Sequence, residues 1–175
     1  GAVSVCVDIT PRKRAELSLR ESEERFHIAV DAVPDIVFMQ RSDGFYEYIN
    51  PRFSDLTGLP ASEAEGFGWQ RAVHSDDLGP LLARWAEAVR RERPWESRHR
   101  LRTAEGAFRW VIGRAHPLRA ANGDVVRWLG VLTDIHDLVE AVTALDRQTR
   151  QLQLALASGR LGTWELDLDA GQVSG

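Results

Sequence analysis

A single cysteine in 175 residues excludes an internal disulfide framework. No apolar run approaches the roughly 18 residues a membrane helix needs, and no basic segment leading into an apolar one marks a targeting peptide. Neither sign of charge dominates. Lys and Arg number 22 against 26 Asp and Glu, a formal net charge of −4, and the arginines alternate with acids instead of forming a block. This balance gives no electrostatic footprint for DNA or RNA, so no nucleic-acid partner is expected. No nucleophile stands with a base and an orienting partner, so no catalytic residue is expected either. The nearest approach to a metal cluster is His74 with Asp76 and Asp77. Acids at a helix start are explained by the helix dipole, and no metal is expected. With 43% apolar residues, the composition is that of a globular cytoplasmic protein of about one domain, whose parent could be anchored in a membrane elsewhere.

What is present is organised around residues 105–137, which read as two long strands running into a helix. The first alternates Phe108, Trp110 and Ile112 against Arg109, Val111 and Gly113. Asn122-Gly123 supplies the turn. The returning strand is apolar at both parities, with Val126 and Trp128 on one side and Val125, Leu129 and Val131 on the other, as expected of a central strand covered on both faces. Upstream, residues 35–41 and 45–49 form a hairpin around Ser42-Asp43-Gly44. Asn50-Pro51 opens a short helix with Phe53 and Leu56 inward, and Ser75 or Asp76 caps a longer helix carrying Leu78, Leu81, Leu82, Trp85 and Val89. Residues 95–102 alternate again, with Trp95, Ser97, His99 and Leu101 facing inward. The fold class is α+β on an antiparallel sheet.

Residues 5–10 align with residues 131–136 at an offset of 126, and the same offset sets Arg25 to Val30 on Gln151 to Leu156. A period this long signals tandem domains. Each repeat ends in a helix with a heptad seam. In the first, Ala15, Leu19, Ser22, Phe26, Ala29 and Val33 follow a 4-3 spacing, supported by the pairs Glu16–Arg20 and Glu21–Arg25. In the second, Asp137 caps the helix with Glu140 in a capping box, and Ala141, Leu145, Gln148, Leu152 and Ala155 repeat the spacing. The seams predict a parallel homodimer through the linker helices.

Several of these stretches together resemble a PAS domain with its C-terminal PAC motif. They are Asp8-Ile9-Thr10 and Asp134-Ile135-His136 at strand-to-helix exits, His74-Ser75-Asp76-Asp77 before the longer helix, Glu105-Gly106 followed by Arg109-Trp110-Val111, and Asn122-Gly123 before Arg127-Trp128. The segment 12–26 resembles the helix that joins successive PAS domains in bacterial sensor proteins. His136 departs from the usual threonine. The resemblance implies the PAS fold, a five-stranded antiparallel sheet with short helices on one face, flanked by N- and C-terminal linker helices. It divides the chain into the last strand of a preceding PAS domain (1–10), a linker helix (11–30), a complete PAS/PAC domain (31–136), a second linker helix (137–157) and the start of a following PAS domain (158–175). It further implies a signal-relay module of a two-component sensor histidine kinase or a diguanylate cyclase, binding a small ligand or partner, with neighbouring PAS domains and an output kinase module as partners. A ligand-free spacer is the alternative.

The pocket candidates are Trp69, Trp85, His99 and Trp110, and the signal-relay candidates are Asp8, Thr10, Asp134 and Asp137. Asp134 is expected to cap the exit helix or to pair with Arg12, Arg20 or Arg25 of the entering linker. A flavin adduct of the family's type needs a cysteine on a helix beside the ring, and Cys6 lies in the neighbouring domain's last strand. Haem-binding members of the family that the chain resembles place an axial histidine on the longer helix, and residues 77–93 contain none. No cofactor is expected, and an unknown small ligand stays open. His136-Asp137 resembles a phosphoacceptor box, but its alignment with Thr10 marks it as the strand exit.

Overall fold

A computed structural model describes the backbone of residues 10–158, 165–167 and 172–174, and the side chains of residues 13–157 apart from Ala15 and Leu19. The chain divides after Ile135 into two units. The first contains a sheet of five antiparallel strands, β1 (Ile36–Gln40), β2 (Tyr46–Ile49), β3 (Trp95–Arg102), β4 (Phe108–Arg119) and β5 (Val125–Asp134). Their order is β2-β1-β5-β4-β3, which places the doubly apolar β5 at the centre. Short connections carry the hairpins. Gly44 and Gly123 sit at φ +88° and +92°, a backbone that side-chain-bearing residues avoid, and so the chain turns there.

Helix α1 (Thr10–Asp31) precedes the sheet, and α2 (Arg52–Thr57), α3 (Ala61–Ala64), a 3₁₀ turn (Gly68–Ala72) and α4 (Ser75–Arg91) follow β2. The core contains Phe38, Phe53, Leu101, Val111 and Trp128, all essentially inaccessible to solvent, together with Leu81, Trp85 and Ala88 of α4. On β3, Trp95, Ser97, His99 and Leu101 are buried and alternate with more exposed arginines and Glu96, as the period-two pattern requires. On β4 the inner parity is Val111, Gly113 and Ala115. Gly113 is needed there, because a Cβ would lie 2.7 Å from the Trp95 ring. The parity of β5 is interrupted by a register shift at Leu118/Arg119, where Arg119 pairs with Val125 and Leu118 with Arg127. The shift turns Val125 toward the core cluster and leaves Val126 about half exposed, correcting the strict alternation expected of them.

Two expected caps serve other roles. Asn50 does not cap α2. It is wholly buried, its Oδ1 accepts from Val37 N at 3.0 Å, and its Nδ2 donates to Val30 O and Asp35 O, each at 3.1 Å. One side chain thus ties the end of α1, the start of β1 and the end of β2, a task that outweighs an exposed helix cap. At α4 the cap is His74, whose Nδ1 accepts from Asp76 N at 3.2 Å, and the expected caps Ser75 and Asp76 lie inside the first turn. On α1, Arg25 pairs with Glu21 as expected, whereas Arg20 pairs with Glu24. Phe26 of the expected seam meets Tyr48 edge-on at 5.8 Å, and the Tyr48 hydroxyl donates to Asp31 at 3.1 Å.

The second unit comprises α5 (His136–Ser158) and a hairpin of two short strands, β6 (Glu165–Asp167) and β7 (Gln172–Ser174). Because α5 begins at His136, Asp137 lies inside its first turn and is not its cap. The strand expected over residues 1–10 falls outside the described residues apart from Thr10, which begins α1.

Asn50→Ala removes three hydrogen bonds, one buried and two part-buried, and takes from the buried Val37 N the acceptor Asn50 supplies. Urea unfolding is expected to show a loss of about 2–4 kcal/mol; a loss below about 1 kcal/mol would show that Asn50 does not hold these segments together.

Candidate functional site

The inner face of the sheet and the helices over it enclose a cavity. It is lined by Gln40, Tyr46, Phe53, Trp69, Trp85, Trp95, His99, Leu101 and Leu132, with Gly44 and Leu81 completing it. Each element delivers its share through its own period: β3 contributes Trp95, His99 and Leu101 from one parity, and α4 contributes Leu81 and Trp85 one turn apart. The rings interlock. Tyr46 stacks between Phe38 at 5.0 Å and Trp69 at 4.9 Å, while Trp85 meets Trp128 at 4.9 Å and Trp95 at 5.7 Å edge-on. Three indoles grip the β1–β2 turn: Trp69 Nε1 donates to Gly44 O at 3.3 Å, Trp85 Nε1 to Ser42 O at 3.2 Å and Trp128 Nε1 to Ser42 Oγ at 3.3 Å. The fourth, Trp95 Nε1, is buried with no hydrogen-bond partner among the described residues, and so is His99 Nδ1. Unmet buried polar atoms cost about 1–3 kcal/mol each, so these two mark where a hydrogen-bonding guest would gain most. The free space at the centre is about 10 Å³, the room of roughly one water.

The cavity wall is neutral. Burial pulls the His99 pKa down to about 4, against a smaller opposing pull from the Asp77 carboxylate, so the imidazole is uncharged at neutral pH. Burial likewise pushes the Tyr46 hydroxyl far above its ordinary range. Outside the wall, Asp77 accepts from Arg100 N, Nε and Nη2 at 2.8, 2.9 and 2.7 Å, and these bonds hold its carboxyl below the usual range.

Of the four pocket candidates, the structure brings Trp69, Trp85 and His99 to this cavity. Trp110 is not there. It occupies the opposite parity of β4, on the outer face, with the Arg100 guanidinium 5.2 Å from its ring centre. Trp95, Tyr46 and Gln40 were missed as lining residues; the signal available for Trp95 was its position four residues before His99 on one strand face. Among the relay candidates, Asp134 receives Arg109 Nε at 2.5 Å across the β4–β5 pair. The cation that meets it here is a strand neighbour; of the linker arginines, Arg20 pairs with Glu24 and Arg25 with Glu21, and the Arg12 side chain lies outside the described residues. Beside it, Thr133 Oγ1 donates to Asp35 at 3.0 Å and Ile135 N to Trp110 O at 2.9 Å. Thr10 starts α1 with its side chain outside the description, and Asp8 and Cys6 lie outside the described residues.

Residues 46–132, from the start of β2 to the buried end of β5, match the family model described as PAS fold. The domain belongs to the PAS family. The chain is 34% identical over 143 residues to the uncharacterized protein y4lL of Sinorhizobium fredii, covering 82% of this chain and 17% of that protein. It is 29% identical over 162 residues to the two-component sensor PprA of Pseudomonas aeruginosa, covering 87% of this chain and 17% of that one. The chain thus spans about a sixth of the length of these curated relatives. Among solved structures, an RNA-binding light-oxygen-voltage receptor aligns with a TM-score of 0.61 at 17% identity, over 86% of this chain and 40% of that one. At that identity the likeness concerns the PAS fold alone. Among the described residues no helix is long and apolar enough to cross a membrane.

The depressed pKa of His99 makes the PAS domain acid-sensitive. The unfolded chain takes up a proton near pH 6.5 and the folded one only near 4, so the neutral ring's contribution is complete above pH 6.5 and lost as the pH falls toward 4. Wild type is expected to lose up to about 3 kcal/mol more than His99→Leu over this window in urea titrations. Parallel pH profiles would contradict the assignment.

Proposed function

We propose that this PAS domain is a signal-relay module of a longer bacterial sensor protein whose output is a histidine kinase, and that a change at the inner cavity leaves through β5 into α5. The observation that carries the reading is the path of β5. Leu132 lines the cavity, Asp134 two residues later is clamped to Arg109, and α5 begins at His136 with only Ile135 between. Ile135 itself is bonded to Trp110 O, so no slack segment absorbs a shift of the strand. The homology to the two-component sensor PprA supports a kinase output. A diguanylate cyclase as output fits the same exit.

Pairing of two copies through the linker helices belongs to the same reading. Leu138, Val142, Leu145, Leu152 and Leu156 of α5 are all exposed, and with Thr149 they follow a 4-3-4-3-4 spacing. Leucine falls at Leu138, Leu145 and Leu152, and β-branched residues fall at Val142 and Thr149, the combination that favours two parallel strands. This register differs from the one through Ala141, Gln148 and Ala155 and offers larger apolar side chains. On α1, Ser22 and Ala29 are exposed, and Phe26 is shared with Tyr48. Asp137 near the start of α5 is assigned to the same relay, as are Asp8 and Thr10, whose positions the repeat sets on Asp134 and His136.

A second reading, a ligand-free spacer, is favoured by the small free space in the cavity. No flavin adduct or haem is assigned under either reading, and the purified protein is expected to be colourless. Native mass spectrometry of the purified chain is expected to show twice the chain mass. A retained small molecule would favour the sensor and a bare dimer the spacer, whereas a monomer at every concentration would remove the pairing.

Asp134→Ala in a fusion to a kinase output distinguishes a coupling residue from a stabilising one. The response is expected to be lost or locked while the Tm falls only a few degrees, since a relay of this kind needs about 1–3 kcal/mol of coupling. A full-amplitude response in the folded variant would end the proposed route.

A further inference from the structure

Strand β3 is an edge of the sheet, paired with β4 alone. The chain entering α4 closes half of its outer side. His74 N donates to Arg100 O at 3.0 Å, Arg100 N donates to Asp77 Oδ2 at 2.8 Å, and Val73 bridges to Leu101. Backbone groups in an antiparallel ladder alternate with a period of two, so if those of Arg100 point outward, those of Arg98 and Glu96 do as well. Among the described residues no backbone group pairs with them there. The opposite edge differs: Tyr46 of β2 exchanges two backbone bonds with Gly66.

The open half of β3 borders a groove of about 380 Å³ lined by Asp77, Pro80, Leu81, Arg84, Glu96, Ser97 and Arg98. Its acids are already neutralised, Asp77 by Arg100 and Glu96 by Arg114 at 2.7 Å. Nearby, Glu87 pairs with Arg90 and Arg91, and Glu92 with Arg119. Four guanidiniums of this region, Arg84, Arg93, Arg98 and Arg102, have no acid partner among the described residues. Arg84 and Arg98 are exposed in this groove, and Arg84 and Arg93 line a second groove beside it. In a chain of net charge −4, residues 84–102 hold seven arginines against three glutamates.

We propose that the open edge of β3 binds an extended acidic peptide of a partner protein, which adds as a sixth strand beside Glu96 and Arg98 and sets carboxylates against Arg98 on the sheet side and Arg84 on the helix side. Strand addition supplies main-chain hydrogen bonds, and the two arginines select the charge. A charged edge that repels basic strands admits an acidic one. The groove suits a peptide better than a nucleic acid. Glu87 and Glu96 interrupt any continuous phosphate track, Leu81 and Pro80 offer apolar contact, and the nearest indole, Trp95, is buried and offers no stacking surface.

The test is fluorescence anisotropy of the full chain with a labelled octapeptide, Val-Glu-Glu-Val-Glu-Glu-Val-Glu, at low salt. Saturable binding is expected, weakened at least about tenfold in R84E/R98E and by a similar factor when alternate backbone nitrogens of the peptide are methylated. Both arginines are exposed and unpaired, so the variant should keep the wild-type Tm; should it fail to fold, the methylated peptide still decides against the wild-type protein. Absence of saturable binding, equal binding of the methylated peptide, or tighter binding of a uridine oligonucleotide of equal charge would overturn the proposal, as would protection of the β3 edge by self-association.

Discussion

The structure depends on where its buried indole N–H groups can go. Four tryptophans, Trp69, Trp85, Trp95 and Trp128, pack into one small core, and each brings a donor that must be satisfied or left at a cost. The β1–β2 turn resolves three of them, because Ser42 and Gly44 offer two carbonyls and a hydroxyl that the hairpin does not otherwise use. That arrangement locks the turn, the 3₁₀ segment, α4 and β5 to one another. It also leaves the fourth donor, Trp95 Nε1, with His99 Nδ1 as the two unmet polar atoms of the cavity wall. Aromatic packing and chemical potential for a guest therefore have the same origin.

Polar tethers complement this apolar centre at places where segments distant in sequence converge. Asn50 binds the end of α1 to β1 and β2 from inside. Asp77 reaches from α4 to both the backbone and the side chain of Arg100, and Asp134 meets Arg109 across the sheet. The last of these is partly exposed and screened by solvent, so its worth lies more in fixing the register of β4 against β5 than in stability. A strand held in register at its end transmits displacement instead of dissipating it, which is the mechanical property the relay reading requires. The arginine surplus around β3 follows another logic: every local acid is already committed, so the positive charge left over faces outward.

The sequence by itself determined the type and order of the five strands of the sheet, of α2 and α4 between them, and of the long helices at either end. Period-two alternation in residues 95–102, the double apolar parity of β5, the turn residues at Gly44 and Gly123 and the stripe from Leu78 to Val89 are local patterns, and each was legible because burial acts on one element at a time. The inward parity of β3 also disclosed His99 and, unused, Trp95. What only the tertiary structure decided was which partner each polar group chose and which face of β4 met the helices. Asn50 looked like a helix cap because the cap motif is local, yet three backbone groups up to twenty residues away outcompeted it. Trp110 looked like a pocket wall because a tryptophan on an alternating strand favours burial, yet the helices pack on the other face, where Val111 and Ala115 join the core. A register shift reversed Val125, and a cross-strand arginine, Arg109, came to meet Asp134. Such choices compare contacts between segments remote in sequence, and that comparison has no value until the chain has folded.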